Sequence, residues 1–301
     1  MLLLTAILSL TSARAATGWP PPLQEPALTR GATAPGSGTL GYRVSVEDTA
    51  IGARGAPVSS RRLIVAVDAE WALARRLTLD AIVPAMAVRG RTGTAAAAAF
   101  AETAGFSDAS LSLNLRLDRP AEESELGQQL DPSRSCLWAG IQAPTGITSA
   151  TDSTGEQVTD PTLLPGAGIF SGLAGIRYVS RADRRLRLEA AASARIPITS
   201  AASGERRGAA WQARVAAAWQ PARAFGAALD AFLAGTRPDA IGGDSLAGTG
   251  RTELRAGPSI RWRPGDRFLI TAGVSFPGAA WISGAQPVSP TALSAGLWTT
   301  L

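Results

Sequence analysis

The chain has 301 residues, a formal net charge of +5 and 29 basic residues, and since it contains neither histidine nor lysine, every basic residue is an arginine. It therefore lacks the imidazole of Ser-His-Asp and Cys-His catalysis, the amine of Schiff bases, the P-loop lysine and the histidines of most zinc sites. Cys136 is the only cysteine, which excludes an internal disulfide. The protein therefore either uses carboxylates for catalysis or catalyses no reaction.

The first segment has the pattern of an export signal. Residues 2–10 form a short apolar run that ends at Ala13-Arg14-Ala15, so residues 1–15 are predicted to be a secretory signal peptide. The alternative is a buried N-terminal helix. Residues 16–38 are rich in proline, glycine and small residues, which predicts a flexible leader. No later segment reaches the ~18 consecutive apolar residues of a membrane-spanning helix.

From residue 39 onwards the apolar residues recur at every second position. In residues 110–118 four leucines alternate with serine, asparagine, arginine and aspartate, and residues 185–198 and 253–263 follow the same pattern. Such segments run for 9–14 residues, whereas strands of globular sheets have a mode of ~5–6 and tilted membrane strands need ~9–11. The alternation therefore favours membrane-spanning strands over a soluble sandwich.

Twelve segments of this kind follow in chain order: 39–47, 62–73, 76–88, 106–117, 135–144, 169–179, 185–198, 208–219, 223–234, 251–262, 267–277 and 290–301. Short and long connections alternate, with short ones at 74–75, 180–184, 220–222 and 263–266. Outer-membrane barrels have an even strand number, short periplasmic turns and long external loops. The sequence therefore predicts an all-β, up-and-down antiparallel transmembrane barrel over residues 39–301. Residues 118–134 would be an unusually long periplasmic turn.

The non-apolar face of these strands is predicted to line the barrel interior. By parity it carries Arg43, Glu47, Asp68, Glu70, Asp80, Asn114, Arg116, Gln142, Arg177, Arg187, Glu189, Gln212, Arg214, Asp230, Glu253, Arg255 and Arg261. One reading is a paired polar lining that holds the shape of the barrel, since an unpaired buried charge is costly. The other is a pore that prefers anionic or aromatic solutes, because arginine pairs with carboxylates and stacks on rings.

Aromatic residues lie where a membrane interface would place them. Trp211 and Trp219 share one face eight residues apart, which at ~3.3 Å per residue and a ~40° tilt separates them by about 20 Å along the membrane normal. Trp71, Trp262 and Phe268 are next to short turns, and Phe276 and Trp281 are next to a long loop. The alternative is that these tryptophans pack in the core of a soluble protein, but the opposite face of the same strands carries many charged residues.

Three further patterns allow other chemistry. Asp152, Glu156 and Asp160 could ligate Ca²⁺, but their spacing is not that of an EF-hand, so a solvated loop is expected and no metal is assigned. Asp68 and Glu70 could be an acid/base pair, yet carboxylates at i and i+2 of a strand more often pair with arginines. Glycines 166, 168 and 172 imitate part of a phosphate loop, but an alternating strand follows instead of a helix.

Three stretches occur in a familiar order: "GFSDASLSLNLRL" at 105–117, "GIQAPTG" at 140–146, and "LLPGAGIFSGLAGIRY" at 163–178. The series resembles the outer-membrane transporter family named after the MetA pathway of phenol degradation. The matching motif residues are Gly140, Pro144, Thr145, Gly146, Pro165, Gly166 and Gly168. Gln142 departs from the lysine, and Ala167 from the small hydroxyl residue, that the family tends to have.

The resemblance implies an outer-membrane β-barrel with a transport role and no agreed catalytic residues. We therefore expect an exported, Gram-negative outer-membrane protein that passes small solutes, aromatic or apolar ones included, without an energy source or cofactor. The expected partners are outer-membrane lipid and lipopolysaccharide, the barrel-assembly machinery and a small-molecule solute, but no nucleic acid. Two alternatives stay open: a non-conducting structural or loop-binding barrel, and a carboxylate-dependent barrel enzyme.

Overall fold

The computed structural model describes residues 38–50, 59–74, 76–92, 99–117, 134–157, 164–181, 185–201, 204–222, 224–241, 244–245, 250–264, 268–282 and 291–300. The predicted signal peptide, the leader up to residue 37 and most of the 118–134 segment lie outside the described residues.

The described residues form strands and the connections between them. The strands are β1 (Gly38–Ala50), β2 (Ser59–Ala74), β3 (Leu77–Thr92), β4 (Ala99–Phe106), β5 (Ser110–Arg116), β6 (Arg134–Gln142), β7 (Ser171–Arg181), β8 (Leu186–Pro197), β9 (Glu205–Arg206), β10 (Ala210–Ala222), β11 (Phe225–Thr236), β12 (Ala240–Ile241), β13 (Asp244–Ser245), β14 (Arg251–Trp262), β15 (Phe268–Ile282) and β16 (Ala292–Thr300). Among the described residues, no helix is long and apolar enough to cross a membrane.

Every pairing between the long strands is antiparallel, and the sheet follows chain order. Thirteen strands form one sheet in the order β2-β1-β16-β15-β14-β11-β10-β8-β7-β6-β5-β3-β4, and β2 also pairs with β3. Both β4 and β5 pair with β3, along its two halves, so together they occupy one of twelve positions. The prediction of an all-β protein with twelve antiparallel up-and-down strands is confirmed.

The alternation in the sequence becomes a difference between the two faces of the sheet. On β5, Leu111, Leu113 and Leu115 are 44–47% exposed, whereas the intervening Ser112 and Asn114 are 6% and 1% exposed. Successive side chains of a strand point to opposite faces. The leucine side is exposed and the polar side is buried, which is the reverse of a soluble half-buried sheet. We call the two sides the apolar face and the polar face.

The strand bounds confirm the predicted short connections and correct several details. The fourth strand was predicted to be continuous over 106–117, but Ser107–Ala109 interrupts it, and it begins earlier at Ala99. Phe276, predicted to lie next to a long loop, is inside β15, which continues to Ile282. A separate small sheet, in the order β13-β12-β9, lies in the connections at the long-loop end, and the sequence pattern did not indicate it.

Candidate functional site

The polar face buries most of the residues predicted to line an interior. Asp68, Glu70, Asp80, Asn114, Arg177, Glu189, Gln212, Glu253 and Arg255 are buried. Arg116, Gln142, Arg187, Arg214, Asp230 and Arg261 are half-buried. The side chains of Arg43 and Glu47 lie outside the described part of the structure, although the strand register places these residues opposite Ala66 and Arg62. That these groups line a pore stays a prediction.

Four arginines surround one buried carboxylate on the polar face. Arg177 Nη2 donates to Glu189 Oε2 at 2.6 Å, and Arg187 donates to Glu189 Oε1 through Nε at 2.9 Å and through Nη2. Arg214 Nη1 and Arg261 Nη2 lie 3.5 Å and 3.6 Å from the Glu189 oxygens. The Glu189 side chain is only 2% exposed. A buried carboxylate is stable only with such compensation.

Asp230 is the second carboxylate of this group. It accepts hydrogen bonds from Arg214 through Nε at 3.0 Å and through Nη2, and from the Ser259 hydroxyl at 2.8 Å. We call Arg177, Arg187, Glu189, Arg214, Asp230 and Arg261 the Glu189 cluster. With four guanidinium groups and two carboxylates, the cluster has a formal excess of two positive charges.

Small residues create the space in which the cluster fits. Arg261 is on β14 and Glu189 on β8, so its side chain extends across β10 and β11. Between them the polar face carries Ala216, Ala218 and Ala228, which are 6–9% exposed. Larger side chains there would block the approach of the guanidinium groups, whose aliphatic stems can cover such alanines. The alanine-rich sequence of β10 and β11 therefore positions the cluster.

A second charged group lies nearer the long-loop end of the polar face. Arg255 Nη1 donates to Glu253 Oε1 at 2.8 Å, and Arg251 Nη2 is 4.0 Å from Glu253 Oε2. Arg255 Nη2 also donates to the Ser275 carbonyl at 3.0 Å. This group again has more arginines than carboxylates.

On the polar face of β2 and β3, the described charges are three carboxylates and one arginine, Arg62. Asp68, Glu70 and Asp80 are 2–6% exposed, and Glu70 stands directly opposite Asp80 in the register. In the order of pairings β3 is six strands from β11 in either direction. The middle of the arginine-rich part, on β10 and β11, is therefore opposite β2 and β3 in the ladder, whereas Arg177 on β7 is three pairings from β3.

The motif residues come together around Asp108, in the interruption of the fourth strand. Asp108 Oδ1 accepts a hydrogen bond from the Gly146 N–H at 3.1 Å, and Oδ2 accepts one from the Ala167 N–H at 2.8 Å. The Thr145 hydroxyl donates to the Ser107 carbonyl at 3.1 Å. One aspartate thus joins three stretches that are far apart in the sequence; we call this set the Asp108 junction.

Two glycines of the motif make the junction possible by their lack of a side chain. A Cβ on Gly166 would lie 2.5 Å from the Gly146 carbonyl carbon, and a Cβ on Gly146 would lie 2.5 Å from the Gly166 Cα. Gly168 has a φ of +68°, which favours glycine. The sequence prediction that these glycines mark the ends of strands is incomplete, since they also pack against each other.

Beyond the junction, the connection between β6 and β7 lies against the polar face. Ala150 and Leu164 pack on a small apolar cluster formed by Ile64, Met86, Val88 and Ala101. Ile64 and Met86 are directly opposite in the β2–β3 register and alternate with the exposed residues of the apolar face. This connection therefore covers part of the polar face at the long-loop end.

The aromatic residues predicted to lie at a membrane interface are all on the apolar face. Trp71, Trp211, Trp219, Trp262, Phe268 and Phe276 are 37–51% exposed. Trp219 is near the short turn after β10, and Trp211 is at the opposite end of that strand. Their position at a membrane interface stays a prediction.

Sequence reasoning missed some members of the polar face. Both Arg62 and Arg251 are buried there. Each is the first residue of a predicted segment, where the alternation of apolar and polar residues is hardest to assign. Trp138 is 5% exposed on the polar face, and an apolar residue there contradicts the alternation. Asp108 was visible only as part of the quoted "GFSD" stretch. No group of carboxylates or cysteine that could hold a metal is present among the described residues.

The comparisons with known proteins rest on structure alone, since no family model and no curated protein matches the sequence. An outer-membrane channel from Pseudomonas putida F1 is 13% identical with a TM-score of 0.67, over 92% of this chain and 99% of that one. The translocator domain of the autotransporter NalP from Neisseria meningitidis is 14% identical with a TM-score of 0.52, over 92% of each chain. The likeness shows that the chain shares the fold of these proteins.

Proposed function

We propose that the protein is a closed outer-membrane β-barrel that acts as a passive channel for small solutes. Support for closure comes from the pairings, which lead from β2 through every long strand to β3 and back to β2. The exposed apolar face would meet lipid, as in outer-membrane barrels. The most similar fold reported above is that of an outer-membrane channel. Export through the predicted signal peptide belongs to this proposal.

The observation that carries the channel proposal is the partial exposure of charges on the polar face. The side chains of Arg187, Arg214 and Arg261 are 27%, 23% and 28% exposed. In a closed barrel these arginines face the interior, so their exposure means that side chains do not fill it. Water-accessible space beside charged groups is what a channel for small solutes requires.

The proposed solutes are small and include aromatic or apolar compounds. The polar face is not uniformly charged: Phe232, Trp138 and the apolar cluster around Ile64 and Met86 all lie on it. Phe232 stands between Arg214 and Arg255 in the register. An aromatic ring next to guanidinium groups offers a surface for another ring. The resemblance to the family of the MetA pathway of phenol degradation points to the same class.

The test combines folding and permeability. The mature chain is refolded in detergent, and a heat-modifiable shift on a gel shows that the barrel has formed. It is then placed in liposomes, and swelling is followed with phenol-sized neutral solutes and with small sugars, against protein-free liposomes. Faster swelling supports the channel. Swelling equal to that of protein-free liposomes, from protein with the gel shift, contradicts it.

One observation favours a second candidate, a non-conducting barrel. The β6–β7 connection packs through Ala150 and Leu164 on the polar face, where it would narrow the interior, and many of the described charges are paired. This candidate predicts a folded barrel without solute passage. The swelling assay distinguishes the two.

A further inference from the structure

We propose that the Glu189 cluster binds the carboxylate of a small organic acid, with benzoate as the model ligand. The inference rests on the proposed barrel, because the cluster must face an interior that a solute can reach. It assigns a solute class to one wall of that interior.

The cluster already shows that its geometry suits carboxylates. Glu189 and Asp230 are both held by guanidinium groups, and Arg214 uses Nε and Nη2 together on one Asp230 oxygen. The planar fork of arginine matches a carboxylate better than an ammonium group does. The cluster nevertheless has four arginines for two carboxylates, so a third carboxylate would reduce the remaining repulsion.

Within the Glu189 cluster, Arg261 is the arginine with the most unused hydrogen-bonding capacity among the described contacts. Among the contacts described, its guanidinium lies 3.6 Å from Glu189, beyond hydrogen-bond distance, and its side chain is 28% exposed. Arginine has five N–H donors. Arg177 adds a buried Nε with no hydrogen-bond partner among the described residues. An incoming carboxylate could accept from Arg261 without displacing Glu189 from Arg177 and Arg187.

The cluster can be approached from the interior side. The side chains of Arg187, Arg214 and Arg261 are 27%, 23% and 28% exposed, although the alanines at 216, 218 and 228 beneath them are only 6–9% exposed. The described carboxylates Asp68, Glu70 and Asp80, which would repel an anion, are on β2 and β3, across the ladder from β10 and β11. An anion is therefore favoured at the Glu189 cluster over the opposite wall.

The test measures binding without requiring transport. Full-length mature protein, refolded in neutral detergent at low salt, is titrated calorimetrically with benzoate and with benzyl alcohol, its uncharged counterpart of similar size. Arg261→Gln is compared with Arg263→Gln, which makes the same substitution at an exposed turn residue two positions away. The heat-dependent gel shift checks that each variant is folded.

We expect benzoate to bind and benzyl alcohol to bind at least about tenfold more weakly, since a charge-assisted hydrogen bond is worth about a tenfold change in affinity or more. Arg261→Gln should weaken benzoate binding by about tenfold, and Arg263→Gln should leave it unchanged. Equal binding of the two ligands, no benzoate binding, or equal effects of the two substitutions would overturn the site. Absence of liposome swelling alongside specific benzoate binding would instead overturn only the channel.

Discussion

Asp108→Asn should loosen the connection between β6 and β7 without unfolding the sheet. The carboxylate accepts one hydrogen bond from Gly146 N–H and one from Ala167 N–H. An amide keeps one acceptor oxygen but turns an NH₂ group towards the other donor. One charge-assisted hydrogen bond is lost, which is worth about 1.5–3 kcal/mol.

The lost hydrogen bond can be measured as faster amide hydrogen exchange. A decrease of about 1.5–3 kcal/mol in the local opening free energy accelerates amide exchange by about 10- to 100-fold. Hydrogen exchange followed by mass spectrometry should show this in peptides covering 143–150 and 164–170, while peptides from β10 and β11 keep their protection. Asp152→Asn is the matched control, because the described hydrogen bonds to Asp152 Oδ1 come from near neighbours, the N–H groups of Thr154 and Glu156 among them. If Asp108→Asn left exchange in 143–150 and 164–170 unchanged, Asp108 would not be what holds these segments.

Three further predictions test the junction, the cluster and the apolar face. Gly166→Ala should accelerate exchange in the same two segments, since its Cβ would lie 2.5 Å from the Gly146 carbonyl carbon; normal protection would contradict the packing. Glu189→Gln should lower the free energy of unfolding by about 3–5 kcal/mol in urea titrations followed by tryptophan fluorescence, because it leaves four guanidinium groups without their shared charge; a change within error would show that the arginines are balanced elsewhere. Val215→Arg, on the apolar face midway between Trp211 and Trp219, should cost about 2–4 kcal/mol in lipid vesicles, whereas Ser200→Arg in an exposed connection should cost almost nothing; equal costs would argue against lipid contact.

Much of the sheet could be predicted because each strand encodes its two faces locally. The alternation of Leu111, Ser112, Leu113 and Asn114 needs no knowledge of neighbouring strands, and the structure has the strand there. Short turns could be placed for the same reason, since they separate consecutive alternating segments.

The contacts within the site depend on register and on distant segments, which one sequence does not reveal. The alternation of residues along each strand placed Arg261 and Glu189 on the same face. It did not show that the Arg261 side chain extends across two strands to reach Glu189. The interruption at Ser107–Ala109 arises because Asp108 binds backbone groups 38 and 59 residues away. The motif glycines were recognised, yet their mutual packing becomes visible only when the two connections meet.

The current through a planar lipid bilayer containing the folded full-length protein tests the central claim most directly. A conducting interior should give discrete ohmic steps and, in a potassium chloride gradient, a reversal potential that favours chloride, because the Glu189 cluster has more positive than negative charges. An electrically silent bilayer, with protein that shows the heat-dependent gel shift, would contradict the claim that the interior is a conducting path.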